Sequence, residues 1–501
     1  MTESGTDLAT SEKKARLLDR ALVGGLAWTA GVRWAAQLLS WSSTIVIAHH
    51  LTRADYGIIG ASTVYLGLVQ LVNEFGVGVA IVRERDLDER HIASLGGLSI
   101  LLGVFFFLLS AALAHPLALF FHEQAVAHVV LALSSTFIIT GFRVLPNSLL
   151  ARDREFRRLA RIDGMETICQ TLTTLTLAML GYGFWAIVMG SIVAAVVSTI
   201  LNVAARPHRL DWPRDFLPLI EPLRMGWQVT VSRVTWYLYS NADFAVVGRV
   251  LGKIANGAYT MSWQIANIPV DKTSGILSRV TLPVFSQVQN DPKALSRYVR
   301  GLSEFLALIT FPLTIGLALV VRDFVPVVLG PEWMASIIPM RLLLLYSGFR
   351  SLMTLLPNVL IAIGDSRRTM WVSILSLLVM PPAFYFGTHW GPRGVALAWL
   401  IVYPLVMIPF LLLPALRAIG MRPSEYLGAL WPALCGCLVM VVAVELVTIS
   451  IPPGWHDAGR LAVRVAAGAA AYMVTLWLGF RGRAYAIWAQ FRPKAQPAPA
   501  T

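Results

Sequence analysis

Charge is what this sequence has least of. Only 14% of its residues are Asp, Glu, Lys or Arg, whereas soluble domains carry about 25%. With 56% hydrophobic residues and a mean hydropathy of +0.66, that shortfall excludes a water-soluble globule and points to lipid as the solvent. Cysteine is scarce too. Cys169, Cys435 and Cys437 all fall in apolar stretches, which excludes a disulfide framework and a cysteine metal cluster. The nine histidines are scattered and form no ligand spacing, so neither metal nor cofactor is expected. No phosphate-binding glycine loop, nucleophile elbow or dinucleotide fingerprint is present. Long polar loops are missing as well, so no extramembrane domain is expected on either side.

What is there is a succession of apolar runs near the length of a membrane crossing. They run on without alternating, which rules out a β-barrel. The fold class is therefore an all-α polytopic membrane protein with about 14 transmembrane helices. Their predicted centres begin at Gln37, Leu68, Gly103 and Thr136 and end at Tyr403, Cys437 and Gly468. The net charge of +13 does not signal nucleic acid, because the basic residues sit in short loops between spans. Roughly 28 of the 41 Lys and Arg lie on one face and roughly 6 on the other. The basic face is then cytoplasmic, and an even number of spans puts both termini there. The expected organisation is a cytoplasmic N-terminal segment (1–24), a first lobe of six spans (25–205), a proline-rich cytoplasmic linker (206–222), a second lobe (223–416), two extra spans (417–480) and a cytoplasmic tail (481–501). The Pro- and Ala-rich end of that tail predicts no ordered structure.

The chain repeats itself. Gly141-Phe142-Arg143 recurs as Gly348-Phe349-Arg350, 207 residues later, and Leu-Pro-Asn follows each copy. Arg33, Leu51, Arg53 and Gly57 are matched by Arg233, Leu251, Lys253 and Gly257, 200 residues later. Such duplication predicts two six-helix lobes related by an axis along the membrane normal, around a central cavity. Arginine inside a bilayer costs about 2.5–3.5 kcal/mol on insertion scales and is seldom kept there idly. Arg143, roughly 10 Å inside its span at 1.5 Å per residue, and the deeper Arg350 are thus the leading cavity cations. Lys272 joins them as a point charge able to meet phosphate. Arg33 and Arg233 read as a cationic mouth or as snorkelling anchors. Glu74, Asp243 and Asp271 read as charge balance or as carriers of a coupling proton or sodium ion. For every one of these charges, a static ion pair stays open as the alternative. Pro146 and Pro357, after the repeated arginines, read as hinges or packing kinks.

Asn241-Ala-Asp243 through Gly248, Gly257-Ala-Tyr259, Ile268-Pro-Val-Asp-Lys272 to Ser278-Arg-Val280, Pro283-Val-Phe-Ser286 and Leu51-Thr-Arg-Ala-Asp-Tyr-Gly57 together resemble the bacterial polysaccharide biosynthesis exporters. These belong to the multidrug/oligosaccharidyl-lipid/polysaccharide exporter superfamily, and the nearest subgroup is the colanic-acid and lipopolysaccharide exporters. The resemblance covers about residues 25 to 480. It implies twelve core helices in two lobes, often with two more. It also implies alternating access and movement of an undecaprenyl-pyrophosphate-linked oligosaccharide across the inner membrane. It adds a glycan polymerase and chain-length machinery as possible partners. It implies cationic residues in the central cavity, for which Arg143, Arg350 and Lys272 are candidates by position and charge. Two other readings stay open: a multidrug efflux transporter of the same superfamily, whose often cationic substrates would want an acidic cavity, and a membrane-embedded glycan polymerase or ligase, which would want a larger outer loop.

Overall fold

The computed structural model describes residues 43–75, 89–153, 155–211, 217–288, 291–452 and 455–491. Helices dominate them, and every predicted span centre from Leu68 to Gly468 falls within a helix; the first, Gln37, lies outside the described residues. Nine of the described helices are long and apolar enough to cross a membrane. The described residues fall into two compact units divided between Val234 and Thr235.

The first unit holds α1 (Arg53–Phe75), α2 (Glu89–Phe121), α3 (Gln124–Arg152), α4 (Phe156–Met179) and α5 (Trp185–Ala205). A capping box opens α1. The Asp55 carboxylate accepts from the Thr52 amide at 2.9 Å, and the Thr52 hydroxyl accepts from the Asp55 amide at 3.3 Å. The same carboxylate accepts from the Phe184 amide at 3.0 Å, tying the start of α1 to the turn between α4 and α5. Gly183 makes that approach possible: its φ is +56°, and a Cβ there would sit 2.9 Å from Asp55 Oδ1. The family-like stretch from Leu51 to Gly57 thus has a structural duty.

The helix α6 (Leu217–Gln287) crosses the division between units and turns at Gly252, whose φ of 80° and ψ of 177° are not helical. Gly252 matches Thr52 at the 200-residue offset, so both repeats change direction at the same place. One does so with a capped helix start and the other with the left-handed freedom of glycine. In the second unit follow α7 (Pro292–Phe324), α8 (Ile337–Met353), α9 (Leu356–Ala362), α10 (Ser366–Gly387), α11 (Pro392–Met407), α12 (Pro423–Ser450) and α13 (Asp457–Phe491). Asp291 caps α7 by accepting from the Lys293 and Ala294 amides, with proline at the first helical position.

Within each unit the helices pair alike. In the first, α2 packs on α3, α3 on α5 and α4 on α5. In the second, α7 packs on α8, α8 on α11 and α10 on α11. The repeated glycines mark the matched contact. A Cβ on Gly141 would lie 3.0 Å from the Ser99 carbonyl oxygen of α2, and one on Gly348 would lie 2.9 Å from the Thr314 hydroxyl of α7. Small residues let membrane helices approach closely, and here the two copies serve equivalent neighbours.

The repeated prolines part company. Pro146 lies inside the unbroken α3. Four extra residues separate Arg350 from its Leu-Pro-Asn, the chain breaks between α8 and α9, and Pro357 falls in the first turn of α9, where proline is tolerated. The last two helices stand outside the repeat and pack on each other and on α7. Leu438, Val442 and Ile449 of α12 are exposed, as a lipid-facing stripe requires. Past Arg481 the chain stays helical to Phe491 after departing from helical geometry at Phe480; the Pro- and Ala-rich end lies outside the described residues.

Candidate functional site

Arg143 projects from α3 toward α4 and α5. Its Nη1 donates to both Glu166 oxygens, at 3.2 and 3.3 Å, and to the Ser198 hydroxyl at 2.9 Å. Both charged side chains are partly exposed. A cavity of about 330 Å³ opens beside the pair, among α1, α3, α4 and α5. Its wall mixes polar residues, Gln70, Thr140 and Gln170 among them, with apolar ones such as Leu66, Leu133 and Ala194.

Arg350, on α8, donates from Nη2 to Asp271 Oδ1 at 2.9 Å. The partners are unequal: the Asp271 side chain is 62% exposed and that of Arg350 only 21%. The Arg350 Nε is buried with no hydrogen-bond partner. One charge-assisted hydrogen bond is therefore in place, and it ends on a carboxylate that water can reach. Breaking such a contact costs little, because solvent takes over the acid. An anion of better geometry can replace it, since the guanidinium fork suits phosphate oxygens. Beside this arginine, Phe349 meets Tyr403 edge-on. The other side of α8 borders an apolar cavity of about 470 Å³, lined by Phe311, Leu345, Phe349, Leu416, Leu427 and further apolar residues.

Asp243 sits differently. It is fully buried and accepts from the Tyr259 hydroxyl at 2.7 Å, the Trp399 indole at 2.8 Å and the Phe244 amide at 2.9 Å. All three donors are neutral. Around them, Trp263, Tyr346, Phe384 and Trp399 make a continuous aromatic cluster. Replacing Asp243 with Ala leaves two buried donors without an acceptor, at about 1–3 kcal/mol each. The expected result is a clear fall in the unfolding temperature of purified protein, with Asp243→Asn recovering most of it because an amide oxygen still accepts.

The remaining sequence-predicted residues are dispersed. Arg233 is exposed on α6. Lys272 and Glu74 are in helices, but their side chains lie outside the described residues, as does all of Arg33. Asp271 and Arg350 are brought together, as are Arg143 and Glu166. Glu166 is an acid that the sequence reading did not single out; its only signal is a carboxylate, with Asp163, in the polar opening of the fifth span. A third pair went unseen. Arg464 of α13 donates to Asp323 of α7 and to the Leu319 carbonyl oxygen, and Arg460 lies 3.8 Å from the same acid. Among the described residues, no group of His, Cys, Asp and Glu is placed to hold a metal ion, and the three cysteines are free.

The family model described as "Polysaccharide biosynthesis protein" matches residues 46–338. A teichuronic acid biosynthesis protein of Bacillus subtilis is 25% identical over 476 residues, covering 92% of this chain and 96% of the relative. A lipopolysaccharide biosynthesis protein of Escherichia coli is 23% identical over 436 residues, covering 85% and 87%. Among solved structures, a lipid II flippase in an inward closed conformation aligns with a TM-score of 0.73 at 14% identity, covering 91% of this chain and all of that one. That likeness shows the fold: a multi-pass, all-helical architecture.

Proposed function

The chain belongs to the polysaccharide biosynthesis protein family, and on that premise we propose that it is a flippase for lipid-linked oligosaccharide. It carries repeat units built on undecaprenyl pyrophosphate across the bacterial inner membrane by alternating access, and it makes and breaks no covalent bond. The family match carries this reading, because it runs through Arg143, Glu166 and Asp271. The ion pairs supply the chemistry. In the resting protein Arg143 and Arg350 are each held by a carboxylate of their own unit. An arriving pyrophosphate displaces the exposed Asp271 and takes the Arg350 fork, with Lys272 as a further cation. The apolar cavity beside Phe349 offers the long hydrocarbon tail a surface that matches it.

A drug pump for cations is the weaker reading, since the repeat places arginines, not lone acids, at matched points. A polymerase or ligase is weaker still, because such an enzyme would want a larger outer loop than this sequence has. Both termini are cytoplasmic in this reading, and the polymerase and chain-length machinery receive the cargo outside. The inside-negative potential favours outward movement of the anionic headgroup by about 2.3 kcal/mol per charge per 100 mV. A proton or sodium ion on Glu74, Asp243 or Asp271 then returns the emptied carrier. A strain lacking the protein should lose its surface polysaccharide and accumulate the corresponding lipid-linked repeat unit on the cytoplasmic leaflet. Normal surface glycan without accumulation would refute the assignment.

A further inference from the structure

The two repeats treat one region in opposite ways. In the first unit it is the open cavity beside Arg143, walled by Thr63, Gln70, Thr136, Thr140, Gln170 and Ser191. In the second unit it is filled. At the 200-residue offset Thr63 becomes Trp263 and Gln70 becomes Val270; at the 207-residue offset Thr136 becomes Leu343. Trp263 packs 5.4 Å from Trp399 and 6.1 Å from Tyr346, centroid to centroid, and Val270 and Leu343 have no exposed surface. The same framework closes most of this space with apolar side chains, and Asn267 and Ser347, at the places of Gly67 and Thr140, satisfy each other there. The first unit keeps it open and polar, which is costly unless water or a ligand satisfies the wall.

The wall has a defined hydrogen-bonding character. Thr63 gives its hydroxyl proton to the Gly60 carbonyl at 3.0 Å, Thr136 to Leu133 at 2.6 Å, Thr140 to Phe137 at 3.3 Å and Ser191 to Ile187 at 3.0 Å. With their protons engaged, the oxygens of Thr136 and Ser191 face a ligand as acceptors. Gln170, which is exposed, adds an amide that both donates and accepts. Glu166 is already balanced by Arg143, so the pair brings polarity without net charge. Leu133, half-buried, and Ala194 give the wall an apolar strip.

We propose that this cavity is a subsite for one neutral sugar ring of the transported oligosaccharide, an inference that rests on the cargo class proposed above. Sugar hydroxyls are donors that suit acceptor oxygens, and a pyranose has an apolar face that suits the apolar strip of the wall. At about 30 Å³ per water the cavity holds roughly ten waters, room for a single ring and not for a chain. A bare sodium ion fits poorly, because it would fill a small part of the space and meet an acid that already has its cation.

The test is binding, independent of transport. Purified protein in detergent is titrated with neutral methyl glycosides (glucoside, galactoside, mannoside and N-acetylglucosaminide), and thermal unfolding is followed. Sodium chloride and choline chloride are titrated in parallel. Wild type is compared with Thr63→Trp, which installs the residue of the second repeat, and with Gln170→Ala, an exposed change that leaves packing alone. At least one glycoside should raise the unfolding temperature saturably, and Gln170→Ala should move half-saturation about tenfold higher, the loss of roughly one good hydrogen bond. Thr63→Trp should abolish the response. No saturable response to any glycoside, or unchanged half-saturation in Gln170→Ala, overturns the proposal. A response to sodium alone reassigns the cavity to a cation. If glycosides bind while lipid-linked oligosaccharide is never flipped, the subsite stands and the flippase reading falls.

Discussion

Arg350→Ala reduces glycan export by about tenfold to a hundredfold while the protein still folds and reaches the membrane. A hydrogen bond to a charged group is worth about 1.5–3 kcal/mol, which sets that range at 1.4 kcal/mol per tenfold. Folding survives for two reasons. The Asp271 side chain is 62% exposed, so the loss of its partner returns it to solvent at little cost. Removing an arginine from a membrane helix also removes a desolvation cost of about 2.5–3.5 kcal/mol. Arg350→Lys keeps the charge but not the fork and should fall between wild type and Ala. Surface polysaccharide per cell, normalised to the protein in isolated membranes, is the measurement. Wild-type export by Arg350→Ala would make its contact with Asp271 a static ion pair and end its role in binding.

The second large effect is on stability. Arg464→Ala strips a buried carboxylate of its main partner. The Asp323 and Arg464 side chains are 9% and 7% exposed, and the pair fastens α13 to α7. Breaking a buried pair from one side costs about 3–5 kcal/mol, because the surviving charge stays buried. Arg460, at 3.8 Å from Asp323, offsets part of this and puts the expected loss near the lower end. Replacing both Asp323 and Arg464 with Leu removes both charges and should recover most of the stability. Thermal unfolding of detergent-purified protein measures each variant. An Arg464→Ala protein as stable as wild type would show that helix packing alone holds α13 in place.

The spans were legible because apolar length is a local property, readable one window at a time. The duplication was legible because Gly141 and Gly348 meet equivalent helices, and that contact tolerates little beyond glycine. The partners of the charges were not legible. Glu166 follows Arg143 by 23 residues, Asp271 precedes Arg350 by 79, and Arg464 follows Asp323 by 141. No spacing rule links residues on different helices. The prolines differ for a related reason. Pro146 and Pro357 look matched, yet four inserted residues carry one of them past a helix break into the first turn of the next helix. The neutral surroundings of Asp243 were equally hidden, since Tyr259 and Trp399 reach it from other turns and another helix. The polar cavity of the first unit emerges only when four helices are brought together.

The most direct measurement is flipping itself. Purified protein is reconstituted into liposomes with the lipid-linked oligosaccharide that accumulates in the deletion strain, and an impermeant glycosidase reports how much sugar is exposed on the outer leaflet over time. Wild-type vesicles should turn over the protected pool far faster than protein-free vesicles, and Arg350→Ala vesicles should lag behind wild type. Equal rates with and without the protein would contradict the account at its centre.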